Sequence, residues 1–170
     1  MSKSVITEEV NIETSDGSMN SYFLRPESSG SLPGVIVYMP ASGVRDELVD
    51  IASQIAQLGY AVVLPNLYYR LARTVDIDAN RLGTDEYLGV QDYMIALADH
   101  LSNRRVQSDT AAIISWMDSQ VTISSKQIGG VGYCMGGRLV MASLGAHSDR
   151  MVAAASLYGA GVATDQADSP

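Results

Sequence analysis

Cys134 is the only cysteine of this chain, and it stands between glycines at minus two and plus two in Gly132-Tyr133-Cys134-Met135-Gly136-Gly137. Before it, Gln127-Ile128-Gly129-Gly130-Val131 reads as a strand; after it, 136–146 reads as a helix. A thiol framed by glycines where a strand turns into a helix has the pattern of a nucleophile elbow. The spacing has a physical cause. At such a turn the nucleophile's backbone is strained so that its side chain projects outward. A Cβ two residues away on either side would collide with the adjoining strand or helix. Met135, opening the helix, offers a free backbone N–H and the positive end of the helix dipole to an oxyanion forming at the thiol.

Two other readings of these residues stand beside this one. A lone cysteine next to a buried strand often serves as an inert small hydrophobe. Gly130-x-Gly132 also begins like a dinucleotide-binding fingerprint. The third glycine should then stand at 135, where methionine occurs, and no acidic residue closes a following strand at the right distance.

Hydrophobic periodicity supplies the elements that position Cys134. The alternation of Val5 to Ile12, the turn-forming Thr14-Ser15-Asp16-Gly17-Ser18 and the segment Met19 to Arg25 predict two antiparallel strands. A loop from Glu27 to Gly34 leads into the continuous apolar strand Gly34-Val35-Ile36-Val37-Tyr38-Met39, of the kind buried on both faces. Residues 45 to 58 place Leu48, Ile51, Ala52, Ile55 and Ala56 at helical spacing, and Gly59 ends that helix before a second buried strand, 60 to 65. An irregular segment from Asn66 to about Glu86 follows, of the sort that lies over a site. The pattern then predicts helices over 87–103 and 110–120. The first carries an apolar stripe of Leu88, Val90, Tyr93, Met94, Leu97 and Leu101, with Arg104-Arg105 complementing the dipole at its C-terminal end. A last strand is expected from Arg150 to Ser156.

This order of elements is that of an α/β-hydrolase, and the chain resembles the dienelactone hydrolase family along essentially its whole length. Tyr38-Met39-Pro40-Ala41-Ser42-Gly43-Val44-Arg45 is similar to that family's oxyanion loop. Residues 59–70, through Leu67-Tyr68-Tyr69-Arg70, resemble its second strand and turn, Gly132 to Gly137 its nucleophile motif, and Ser156-Leu157-Tyr158-Gly159 the strand after it. The resemblance implies an α/β fold: a mostly parallel sheet with flanking helices and an N-terminal antiparallel strand pair. It also implies hydrolysis of a lactone or carboxylic ester through a thioacyl-enzyme, with Cys134 attacking the carbonyl, the backbone N–H groups of Met135 and Ala41 holding the oxyanion, and no metal or organic cofactor. Pro40 stands where archetypal members carry a glutamate beside the resting thiol, so activation here has to differ. Tyr69 and Arg70 are candidate substrate-binding residues, an aromatic wall and a cation for a carboxylate; Arg70 reads equally as an ion-pair partner tying its loop to the sheet.

An activated nucleophile needs a base and an orienter, in the chain order Asp then His after the elbow. After Cys134 the chain offers His147, with Asp149, Asp165 and Asp168. His147 lies along the same helix and so about 20 Å from the thiol at ~1.5 Å per residue. His100 precedes the elbow and is expected at a helix surface. The expectation is therefore that residues 1–170 form the N-terminal part of a single, longer hydrolase domain, truncated before its last strands and its Asp/His segment. Alone, this part would be weakly active and prone to associate as a homo-oligomer through an uncovered sheet edge. The alternative is a non-catalytic relative or fragment that acts only as a folding or interaction unit.

Composition limits the partners. A 170-residue chain with 46% hydrophobic residues suits one α/β unit. Eleven basic against 19 acidic residues give a net charge of −8, the wrong sign for gripping phosphate backbones, so no nucleic acid partner is expected. No apolar run approaches the ~20 residues of a membrane span, and residues 1–4 lead into an acidic strand, so neither a membrane nor a secretory route is expected. One unpaired cysteine fits a reducing, cytoplasmic compartment, and two histidines are too few for a dedicated zinc cluster. The expected partner is a small ester or lactone.

Overall fold

The computed structural model describes residues 4–27, 30–75, 77–165, 167 and 169–170. Strands β1 (Val5–Thr14) and β2 (Gly17–Pro26) form the antiparallel pair, joined by the two-residue turn Ser15-Asp16. Gly17 closes that turn at φ 130°, a conformation side chains resist. β2 continues the sheet onto β4 (Ala61–Pro65), antiparallel, and from there the sheet is parallel through β3 (Leu32–Tyr38), β5 (Ile123–Tyr133) and β6 (Met151–Leu157). The order across the six strands is β1-β2-β4-β3-β5-β6. β4 lies between β2 and β3 and is buried at all five positions, which is why its sequence is apolar throughout rather than alternating.

That order places the site. From β3 the chain moves one way, through α1 (Asp46–Gln57), to reach β4; from β4 it crosses back over β3 to β5, and then on through α4 (Met135–Ala146) to β6. Right-handed crossovers in opposite directions put their helices on opposite faces of the sheet. α1 therefore covers one face, and α3 (Asn103–Ser119) packs with α4 on the other. The reversal occurs at β3 and β5, whose C-terminal ends form the crevice where open α/β sheets place their ligands.

Packing follows the pleat. On the α3/α4 face, Gly34, Ile36 and Tyr38 alternate along β3. A Cβ on Gly34 would run into the Met117 methyl group of α3. Tyr38 is fully buried, and its hydroxyl lies 3.0 Å from the Thr110 hydroxyl, itself 2.9 Å from that of Ser143, so a short hydroxyl chain links β3, α3 and α4. Burial pushes the Tyr38 phenol up to about 12, against hydrogen bonds that act the other way. Phe23 of β2 meets Trp116 of α3 edge to face, with ring centres 5.2 Å apart. α1 docks through Leu48, Ala52 and Ala56, spaced four apart on one stripe, and Gly59 at φ 104° ends it as expected, its N–H donating to the Ala56 carbonyl.

Two expectations are corrected. Arg104 and Arg105 do not close a helix; they lie in the first turn of α3, which begins at Asn103 and not at Thr110. Ser102 caps it, its hydroxyl accepting from the Arg105 N–H at 3.3 Å. The Arg105 guanidinium turns back to donate to the His100 carbonyl at 2.7 Å, so it still satisfies the end of the preceding helix, from the far side of a break. That helix, α2 (Leu88–Asp99), does not bury its whole apolar stripe. Leu97 and Leu101 are buried and Val90 and Met94 pack partly buried against the core, whereas Leu88 and Tyr93 are about half exposed. Two short 3-10 turns, Ala79–Arg81 and Asp85–Tyr87, interrupt the irregular segment that precedes it. Among the described residues, no helix is long and apolar enough to cross a membrane.

Candidate active site

Cys134 follows directly on β5 and precedes the first residue of α4, with φ 53° and ψ −117°. A non-glycine residue in that region costs about 1–3 kcal/mol and persists only where its surroundings over-determine it. Here they do. The Cys134 N–H donates to the Leu157 carbonyl at 2.9 Å, and its own carbonyl accepts from Gly137 at 2.9 Å and Ala160 at 3.1 Å. The side chain is exposed, as the elbow reading requires, and is not a small hydrophobe packed in the core.

The glycines at minus two and plus two are forced by contact. A Cβ on Gly132 would meet the Gly136 carbonyl, and one on Gly136 would meet the Tyr38 carbonyl and come within 2.8 Å of the Met39 oxygen. Helix α4 thus crosses the end of β3 backbone against backbone. Gly137 is equally tight, lying against the Ser156 hydroxyl and the Gly159 backbone. These contacts fix the start of α4, so the free N–H of Met135 and the helix dipole face the space beside Cys134.

The loop after β3 approaches from the neighbouring strand. Gly43 donates to the Pro40 carbonyl at 3.0 Å, closing a tight turn over Pro40-Ala41-Ser42-Gly43, and Gly43 itself has φ 82°. Among the described residues neither the Ala41 nor the Met135 N–H has an acceptor within the chain. Tyr68, buried in the segment after β4, donates its hydroxyl to the Ala41 carbonyl at 2.9 Å and lies 3.9 Å from the Met135 sulfur. Burial pushes the Tyr68 phenol well above its usual range, and the adjacent Cys134 acts in the same direction.

Residues 19–170 match the family model described as the dienelactone hydrolase family. The chain belongs to the dienelactone hydrolase family. A Synechocystis relative whose name is that of a carboxymethylenebutenolidase is 28% identical over 162 residues, covering 95% of this chain and 62% of its own length. A Bradyrhizobium relative named for a 2-oxo-3-(5-oxofuran-2-ylidene)propanoate lactonase is 25% identical over 150 residues, covering 88% of this chain and 55% of its own length. A Klebsiella pneumoniae crystal structure titled as a dienelactone hydrolase superposes with a TM-score of 0.76 at 27% identity, over 98% of this chain and 65% of that one. The chain therefore spans about half to two thirds of the length of these family members.

Of the residues singled out from sequence, the fold brings Cys134, Met135 and the Ala41 loop to one crevice at the ends of β5 and β3. Tyr69 and Arg70 are committed elsewhere. Arg70 forms a bidentate pair with Asp109 of α3, at 2.7 and 2.8 Å, and donates from Nε to Asp16 of the hairpin turn at 2.7 Å. The Tyr69 hydroxyl donates to Asp109 at 3.0 Å and lies 2.7 Å from the Thr14 hydroxyl. Of the two readings open for Arg70, this geometry favours the ion pair. His147 caps the far end of α4, its Nε2 2.8 Å from the Gln107 carbonyl, and His100 caps the C-terminus of α2. Asp149 and Asp165 are exposed, and Asp168 lies outside the described residues.

Sequence reasoning missed Asp109, and a signal for it existed. It falls between Val106 and Ile113 on the buried stripe of α3, and a carboxylate on such a stripe requires an ionic partner. The hydroxyl contact of Tyr68 to the Ala41 carbonyl depends on a loop-to-loop approach that no spacing encodes. A cleft of about 680 Å³ also opens on the β1–β2 side of the sheet, lined by Glu9, Tyr22, Arg45, Asn66 and Arg73 among others; Cys134 does not line it.

Proposed function

We propose that this chain carries the nucleophile and the oxyanion hole of an enzyme that hydrolyses a lactone or carboxylic ester. The observation that supports this best is the exposed Cys134 held at φ 53°, beside two backbone N–H groups that have no acceptor among the described residues. The Cys134 sulfur attacks the ester or lactone carbonyl carbon and forms a C–S bond, while the carbonyl oxygen takes up negative charge between the Met135 and Ala41 N–H groups. Collapse of that oxyanion expels the alkoxide, which takes a proton, and leaves a thioester on Cys134 that water cleaves. His147 stands at the far end of α4 from Cys134, with its Nε2 2.8 Å from the Gln107 carbonyl, and so does not serve as the base. The names carried by the family's lactone-cleaving members favour a lactone as substrate.

The test is acylation by p-nitrophenyl acetate. Stoichiometric p-nitrophenolate release, with the acetyl group mapped to Cys134 by peptide mass spectrometry, is expected of the wild-type chain and not of Cys134→Ala. Equal release from both proteins would refute the nucleophile, and an unacylated but alkylatable Cys134 would favour a non-catalytic relative.

A further inference from the structure

Stabilising an oxyanion requires donors that stay fixed while charge develops, and the Ala41 N–H sits on a turn rather than on a helix or strand. Its direction depends on the two peptide planes that meet at the Ala41 Cα. The first plane carries the Pro40 carbonyl and the Ala41 N–H on opposite sides, because the peptide is trans. With the Pro40 carbonyl held inward by Gly43 at 3.0 Å, the Ala41 N–H is turned outward. The second plane carries the Ala41 carbonyl, and what holds it is the Tyr68 hydroxyl at 2.9 Å.

We infer that Tyr68 is the positioning residue of the oxyanion hole: its hydroxyl fixes the Ala41 peptide and lies 3.9 Å from the Met135 sulfur, so one side chain sets the spacing between the two donors. The inference rests on the proposed function, because it assigns Tyr68 a part in that same site. Tyr68 is itself rigidly mounted. It is 1% exposed, its N–H donates to the Asn66 side chain at 3.1 Å, and its carbonyl accepts from Leu71 and Ala72 at 2.8 and 2.9 Å. Two residues on, Arg70 anchors the segment to Asp109 and Asp16. The phenol, displaced upward by burial, remains an O–H donor throughout the range in which a thiol ionises.

The test compares two reactions of Cys134. Acylation by p-nitrophenyl acetate passes through an oxyanion; alkylation by iodoacetamide is a direct displacement that does not. Both depend alike on access to the thiol and on its ionisation, so their ratio isolates the oxyanion hole. Losing a donor outright costs about 100- to 1000-fold, so loosening one predicts about a tenfold fall in acylation for Tyr68→Phe, with alkylation within about twofold of wild type. Gly43→Ala, which strains the same turn from its other side, is expected to give the same split. The inference is overturned if Tyr68→Phe acylates at the wild-type rate, or if both reactions slow together, as a general disturbance of the fold would make them. A wild-type protein that is alkylated but never acylated fails at the earlier step, and removes the nucleophile reading along with this one.

Discussion

Removing the Asp109 carboxylate should cost far more than removing the whole ion pair. Asp109 is completely buried and accepts three hydrogen bonds, two from Arg70 and one from Tyr69. In Asp109→Ala the Arg70 guanidinium, whose side chain is 10% exposed, would keep Asp16 as an ionic partner and the Tyr69 ring 4.5 Å away. Breaking one side of a buried pair costs about 3–5 kcal/mol, chiefly because the remaining charge stays buried. Asp16 stays in place at 2.7 Å but is half exposed, which sets the expectation near the low end, about 3 kcal/mol. With a urea m-value of about 2 kcal/mol/M, the unfolding midpoint should fall by roughly 1.5 M. The double variant Arg70→Met/Asp109→Leu leaves no orphaned charge and is expected within about 1 kcal/mol of wild type. A shift below about 0.5 M for the single variant, or a double variant as unstable as the single, would refute the reasoning.

Two glycines of α4 should respond oppositely to alanine. Gly136→Ala drives a Cβ into the Tyr38 and Met39 carbonyls and should cost more than the roughly 1–3 kcal/mol of ordinary overpacking. Gly145→Ala meets nothing within 4 Å and should stabilise by about 0.5–1 kcal/mol, both read from urea midpoints. Acid should weaken the fold in part through Asp118, whose carboxyl is held below its usual range by the Arg150 guanidinium. A depressed folded pKa means that this contribution is complete above the unfolded value of about 4 and is lost as pH falls through the folded one. Asp118→Asn is therefore expected to flatten the loss of stability as pH falls below about 4, measured by urea unfolding at each pH.

The elbow was legible because glycine at both flanking positions reports a steric demand, and the atoms that make the demand are the carbonyls of Gly136, Tyr38 and Met39. β4 and the Gly59 helix stop were equally plain, one from an unbroken apolar run and the other from a glycine at the end of a helical stripe, which the fold holds at φ 104°. The break between α2 and α3 was not. Two arginines favour a helix C-terminus in isolation, and the apolar stripe running through Leu101 carries the pattern past Ser102, the residue that caps α3. What decided the matter was the reach of Arg105 back to the His100 carbonyl, a contact across the break that periodicity does not report. Within the site, Cys134 is legible from its flanking glycines and the Ala41 loop only from its similarity to the family's oxyanion loop. Tyr68 and Asp109 act through contacts made 27 and 39 residues away along the chain, at Ala41 and Arg70, and only the folded chain reveals them.

The peptide groups flanking the Cys134 Cα are clasped by partners at 137, 157 and 160. The six-residue motif around the sulfur is thus one part of a larger backbone lattice. Transplanted into another strand-to-helix junction lacking an equivalent of the Leu157 carbonyl and the Ala160 amide, the same six residues would relax into an ordinary turn and the outward projection of the sulfur would vanish.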